Sequence, residues 1–98
     1  MTTSTRDEAK NIIQILLEEK LIVCANIIEN ISSFFWWKGN IEEEKEVLVF
    51  MKSIRDNFEK ISKRVKELHS YDIPEILSIP IVDGSSSYLD WMKSVLNQ

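Results

Sequence analysis

The chain has 98 residues, a formal net charge of −4 and 44% hydrophobic residues, which makes one soluble globular domain with a single core. Scattered Lys and Arg give no basic footprint for nucleic acid, and no apolar run is long enough to cross a bilayer or reads as a signal peptide. The single cysteine cannot close an internal disulfide, which fits a reducing cytoplasm.

Met1-Thr2-Thr3 is β-capable but very short, and Ser4 or Thr5 can cap the helix that follows, with Asp7 and Glu8 favourable in its first turn. Ala9, Ile12, Ile13, Leu16 and Leu17 recur at helical spacing, with Lys10, Gln14, Glu18 and Glu19 on the other side. Leu21 to Ile28 is then continuously apolar and rich in β-branched residues, as a strand buried on both faces would be. Apolar character resumes at Ile31 and through Phe34-Phe35-Trp36-Trp37, until Lys38-Gly39-Asn40 reads as a turn. A second strand, Ile41 to Lys52, completes a long β-hairpin. The sequon Asn30-Ile31-Ser32 means nothing without secretion.

Ser53 and Asp56 form an S-x-x-D start signal for a second helix, with Ile54, Phe58, Ile61, Val65 and Leu68 on one face. Pro74 has no N–H and biases Ile73 to extended geometry, so this helix must stop near His69. Ile76 to Val82 reads as a further strand whose internal Pro80 suggests an edge or a bulge. Asp83-Gly84 is a turn, and Ser87 with Asp90 starts a terminal helix carrying Tyr88, Leu89, Trp91, Met92, Val95 and Leu96. With a stub of strand in front, the order becomes β-α-β-β-α-β plus a C-terminal helix. That is an α+β, ferredoxin-like split arrangement in one domain spanning residues 1–98, with its first strand shortened.

The corner His69-Ser70-Tyr71-Asp72-Ile73-Pro74-Glu75-Ile76 gathers the only histidine, a phenol and two carboxylates. Imidazole, thiolate and carboxylate suit Cu or Zn, so His69 and Glu75 are candidate metal ligands, with Cys24 as a third. Against this, Cys24 in a doubly apolar strand reads as a small buried hydrophobe. Lys52, Tyr71 and Glu75 are candidates for a polar pocket that takes a small metabolite. Glu42-Glu43-Glu44 with Glu46 reads as a solvated rim, and the aromatic run as packing. No nucleophile has an evident partner base, so catalysis is not expected, and no cofactor is obligatory. Two helices can cover just one face of a sheet whose strands are apolar on both, so the chain is expected to associate with itself.

These residues resemble the CutA family of divalent-cation tolerance proteins. The likeness runs through Glu18-Glu19-Lys20-Leu21, Cys24-Ala25-Asn26-Ile27, Trp37-Lys38-Gly39-Asn40-Ile41, Glu46, Lys52-Ser53, the His69–Ile76 corner and Tyr88-Leu89-Asp90-Trp91. The resemblance implies a ferredoxin-like fold, a homotrimer shaped like the PII signalling proteins, and a role in metal handling. Ser70 stands where the family commonly has proline, Ala25 where it commonly has valine, and its first strand is nearly missing.

Overall fold

The computed structural model describes residues 1–97. A two-residue strand, β1 (Thr2–Thr3), leads into helix α1 (Arg6–Glu18). The long hairpin follows as β2 (Cys24–Trp37) and β3 (Asn40–Lys52). A short 3-10 turn (Arg55–Asn57) opens helix α2 (Phe58–Leu68), and helix α3 (Ser86–Leu96) ends the chain. The sheet is antiparallel in the order β1-β3-β2. Fourteen residues of β2 at about 3.3 Å each account for the 45 Å long axis of the molecule.

Local signals explain the boundaries. Thr5 is the N-cap of α1 and its hydroxyl accepts the Glu8 N–H at 3.2 Å. At the other end the Lys20 N–H reaches the Leu17 carbonyl and the Leu21 N–H reaches that of Leu16, the paired bonds of a Schellman ending. Lys20 takes the left-handed conformation there (φ 59°). Lys38 (φ 50°) and Gly39 (φ 80°) make the tight turn between β2 and β3, both left-handed as a type I′ turn requires. Ser53 does not cap α2 as its spacing predicts. Its hydroxyl instead donates to the Leu21 carbonyl at 2.6 Å, and Asn57 Nδ2 donates to the same oxygen at 3.1 Å. Nor does Ser87 start α3, whose N-cap is Ser85.

The core lies between the two helices and one face of the sheet. Ile12 and Leu16 of α1, Ile61 and Val65 of α2, and Ile22 before β2 are buried together. Ala9 packs with Val47 and Val49 of β3. Cross-strand partners share a face, so Ala25 with Met51 and Ile27 with Val49 line the helix side. Cys24, Asn26, Ile28, Leu48, Phe50 and Lys52 take the opposite, open side. Between Ile28 and Ile31 the register shifts, with Asn30 left-handed (φ 59°), which marks a β-bulge.

One expected element is corrected. Ile76–Val82 forms no strand in the sheet of this chain. It runs without a strand partner, and Leu77, Ile79, Ile81 and Val82 are exposed, Val82 to 95%. The split β-α-β-β-α-β order therefore lacks its last strand among the described residues. A strand exists only where another backbone offers a ladder, and apolar content cannot supply one. The shortened first strand is as expected. Its two residues pair with β3 as Thr2 with Leu48 and Thr3 with Val47, extended by a Val49 N–H to Met1 carbonyl bond of 2.7 Å.

Candidate functional site

The corner after α2 is built around a buried imidazole. Helix α2 ends with the His69 N–H donating to the Val65 carbonyl at 2.8 Å, and the extended backbone of His69 turns the chain out of the helix. The His69 side chain is fully buried. Its Nε2 lies 2.7 Å from the Thr2 carbonyl oxygen, and its Nδ1 accepts the Tyr71 N–H at 3.0 Å. An amide can only donate, so Nδ1 carries no hydrogen and Nε2 carries the one that bonds Thr2. The ring is thus neutral and both nitrogens are engaged.

Around the imidazole stand two carboxylates. Glu8 of α1 places Oε2 3.7 Å from His69 Nδ1, and the same oxygen accepts the Ser70 N–H at 2.7 Å. Glu8 Oε1 is buried and has no hydrogen-bond partner among the described residues. Burial alone would raise the Glu8 carboxyl, but the hydrogen bonds from Ser70, the charge His69 carries once its ring is protonated, and the Ser4 backbone outweigh it and hold it below its ordinary value. Glu46 of β3, itself buried, accepts the Tyr71 hydroxyl at 2.7 Å. Burial, followed by this bond and the charges of Glu46, Glu8 and Glu44, pushes the Tyr71 phenol well above its ordinary value. The Tyr71 and His69 rings sit 4.6 Å apart.

Beyond Tyr71 the chain borders a groove of about 1050 Å³. Its aromatic wall comes from the hairpin arm, Phe34 to Trp37. Glu42, Glu44, Asp72 and Glu75 give it an acidic rim, answered by Lys45. This arrangement suits a ligand with an apolar body and polar or cationic ends.

The candidates from the sequence separate on this geometry. Tyr71 and Glu75 line the groove together, whereas Lys52 does not border it and sits at the far end of β3, opposite Cys24. Glu75 is exposed, and its charge reaches the partly buried amino group of Met1. Cys24 is half-buried beside the Tyr88 phenol, which burial and the Cys24 thiol push above its ordinary value. His69, Glu75 and Cys24 do not converge, and no three His, Cys, Asp or Glu side chains gather at a metal position among the described residues. Glu8 is the group the sequence did not announce as part of this corner, because 62 positions separate it from Ser70. The placement of Glu8 in a first helical turn accounts for its charge without the corner.

The profile of the family described as CutA1 divalent ion tolerance protein matches residues 1–95. The Thermus thermophilus divalent-cation tolerance protein CutA is 38% identical over 93 residues, 95% of this chain and 90% of that protein. Its Pyrococcus horikoshii counterpart is 43% identical over 86 residues, 88% of this chain and 83% of that one. Among solved structures, the periplasmic divalent cation tolerance protein CutA from Archaeoglobus fulgidus superposes with a TM-score of 0.94 at 40% identity, covering 97% of this chain and 92% of that chain.

Proposed function

Since the chain belongs to the CutA1 divalent ion tolerance protein family, we propose that it is a non-catalytic subunit that assembles with copies of itself and serves in handling divalent cations. The observation that carries the assembly is the run Ile76–Val82. Ile79 is 79% exposed in the single chain, although the run is as apolar as a core strand. Soluble proteins rarely leave such a stretch uncovered, and the open sheet face adds Ile28 and Phe50, both 46% exposed. A count of three subunits rests on the family resemblance. The free thiol of Cys24 fits a reducing compartment, the cytoplasm in the simplest case.

For the cation, the exposed Glu75 and the half-buried Cys24 are the donors that would remain for a Cu or Zn site completed between copies of the chain. His69 serves the corner from inside, since its nitrogens are already bonded. Light scattering at low micromolar concentration should give the mass of three chains, and a monomer would overturn the assembly. Calorimetric titration with Cu and Zn should then show binding that weakens in Glu75→Gln and Cys24→Ser. Equal affinity in both variants and the parent would remove these ligands from the reading.

The groove supports a second reading, a PII-like module that holds a small metabolite through Tyr71 and Glu75. Lys52 would reach such a ligand only if a neighbouring subunit brought it there. Binding from a metabolite panel that persists in the presence of a chelator would favour this role over the metal.

A further inference from the structure

The corner at His69 is arranged so that one proton changes which groups it can bond. With Nδ1 bare, the Tyr71 N–H has its acceptor, and Tyr71, Asp72, Ile73 and Glu75 border the groove. With Nδ1 protonated, two donors would face each other, and the Tyr71 amide must leave. The proton would point to Glu8, whose Oε2 stands 3.7 Å away and whose buried Oε1 has no partner among the described residues. The acceptor that protonation requires is therefore already in place.

We propose that His69, Glu8 and the Tyr71 amide form a proton-operated latch on the groove: acid transfers Nδ1 from the Tyr71 amide to Glu8 and frees the Tyr71 end of the corner. Only a proton is exchanged with solvent, and no covalent bond changes. Release reaches the groove because Tyr71 also holds Glu46 through its hydroxyl, so moving its backbone breaks a bond 2.7 Å long on the open side of β3. Ser70 keeps Glu8 in position by donating its N–H, which a proline at this position could not do. The latch shapes the groove whatever fills it.

The groups facing the ring are few enough to assign. Helix α1 contributes Glu8, and β1 contributes the uncharged Thr2 carbonyl. Strand β3 contributes Glu46, with Glu44 acting on the Tyr71 phenol. In the last turn of α2, Lys66 and Glu67 are exposed and Glu67 is paired with Arg64, so they compete little for the ring.

The chain has one histidine, so imidazole signals in an NMR titration of the whole protein belong to His69 alone. As pH falls through the range where imidazoles titrate, ordinarily around 6.5, the ring and the Tyr71 amide should change with one shared midpoint. Hydrogen-exchange protection of that amide should fall about tenfold or more through local opening. In Glu8→Gln the ring should bind its proton more weakly, so that its midpoint moves to lower pH than in the parent. Ser70→Pro should weaken it in the same direction, and the extended backbone of His69 already suits a following proline. An imidazole that titrates while the Tyr71 amide stays still would overturn the latch. So would a ring that takes no proton before the protein unfolds, or one that titrates alike in Glu8→Gln and the parent. Should either variant fail to fold, the shared or separate midpoints in the parent still decide.

Discussion

Tyr71 is tied down at both ends, its amide to His69 and its hydroxyl to Glu46. Removing the hydroxyl in Tyr71→Phe leaves a buried carboxylate without its donor. A hydrogen bond to a charged group contributes about 1.5–3 kcal/mol, and a loss in this range should appear in the denaturant midpoint. Glu8 makes a different prediction, in pH. Its carboxyl is held below its ordinary value in the folded chain, so its contribution is complete above the usual carboxylate range and is lost as pH falls through the folded value. Melting temperatures of Glu8→Gln measured from neutral to acid pH should therefore decline less steeply than those of the parent. The sequence exposed part of this corner. His69, Tyr71 and Pro74 were visible as a helix end with chemistry attached, because proline forbids the helix beyond it. Glu8 and Thr2 were not, since a contact between residues so distant along the chain depends on how α1 crosses the sheet.

The elements were legible wherever local rules act alone. Helix α1 followed from its spacing and the Thr5 cap, and the hairpin from its two apolar runs about Gly39. Gly39 offers a clean test of that turn. A Cβ there would meet nothing within 4 Å, yet its φ is +80°. Gly39→Ala should therefore cost only the left-handed backbone, about 1–2 kcal/mol, read as a lower melting temperature with unchanged far-UV dichroism. The last strand failed for the opposite reason. Leu77, Ile79 and Ile81 have the apolar content of a strand, but the ladder partner is a tertiary fact that no window of sequence contains. Ser53 shows the same limit on a smaller scale, because the Leu21 carbonyl drew its hydroxyl away from the helix cap.

At the scale of the whole molecule, the single chain is well packed on one side only. Helices α1 and α2 bury the inner face of the sheet, while the open face and the 76–82 run keep large apolar side chains in water. Fully burying one such residue contributes about 1.5–3 kcal/mol, so a few of them contribute strongly to association. Ile79→Asp alters nothing in the core of the monomer, because Ile79 is exposed there. The variant should fold and yet sediment as a smaller species than the parent at equal concentration. Retention of the parent's mass would mean that this run stays in water in the assembly as well.

The bulge at Glu29–Asn30 sets a parity for everything beyond it. Before it, even-numbered residues of β2 pair across from Leu48 and Phe50 on the open side. After it, Ile31, Ser33 and Phe35 face Glu46, Glu44 and Glu42 on that same side. One surplus residue thus decides which half of the aromatic run shares the sheet face of Glu42 and Glu44 and which half takes the other face. A deletion of one residue at this point would exchange Phe35 and Trp37 for Phe34 and Trp36 without touching the turn, the core or the length of β3. The arm is consequently a reversible panel, two aromatic surfaces on one ribbon, and a single-codon insertion or deletion is enough to turn it over.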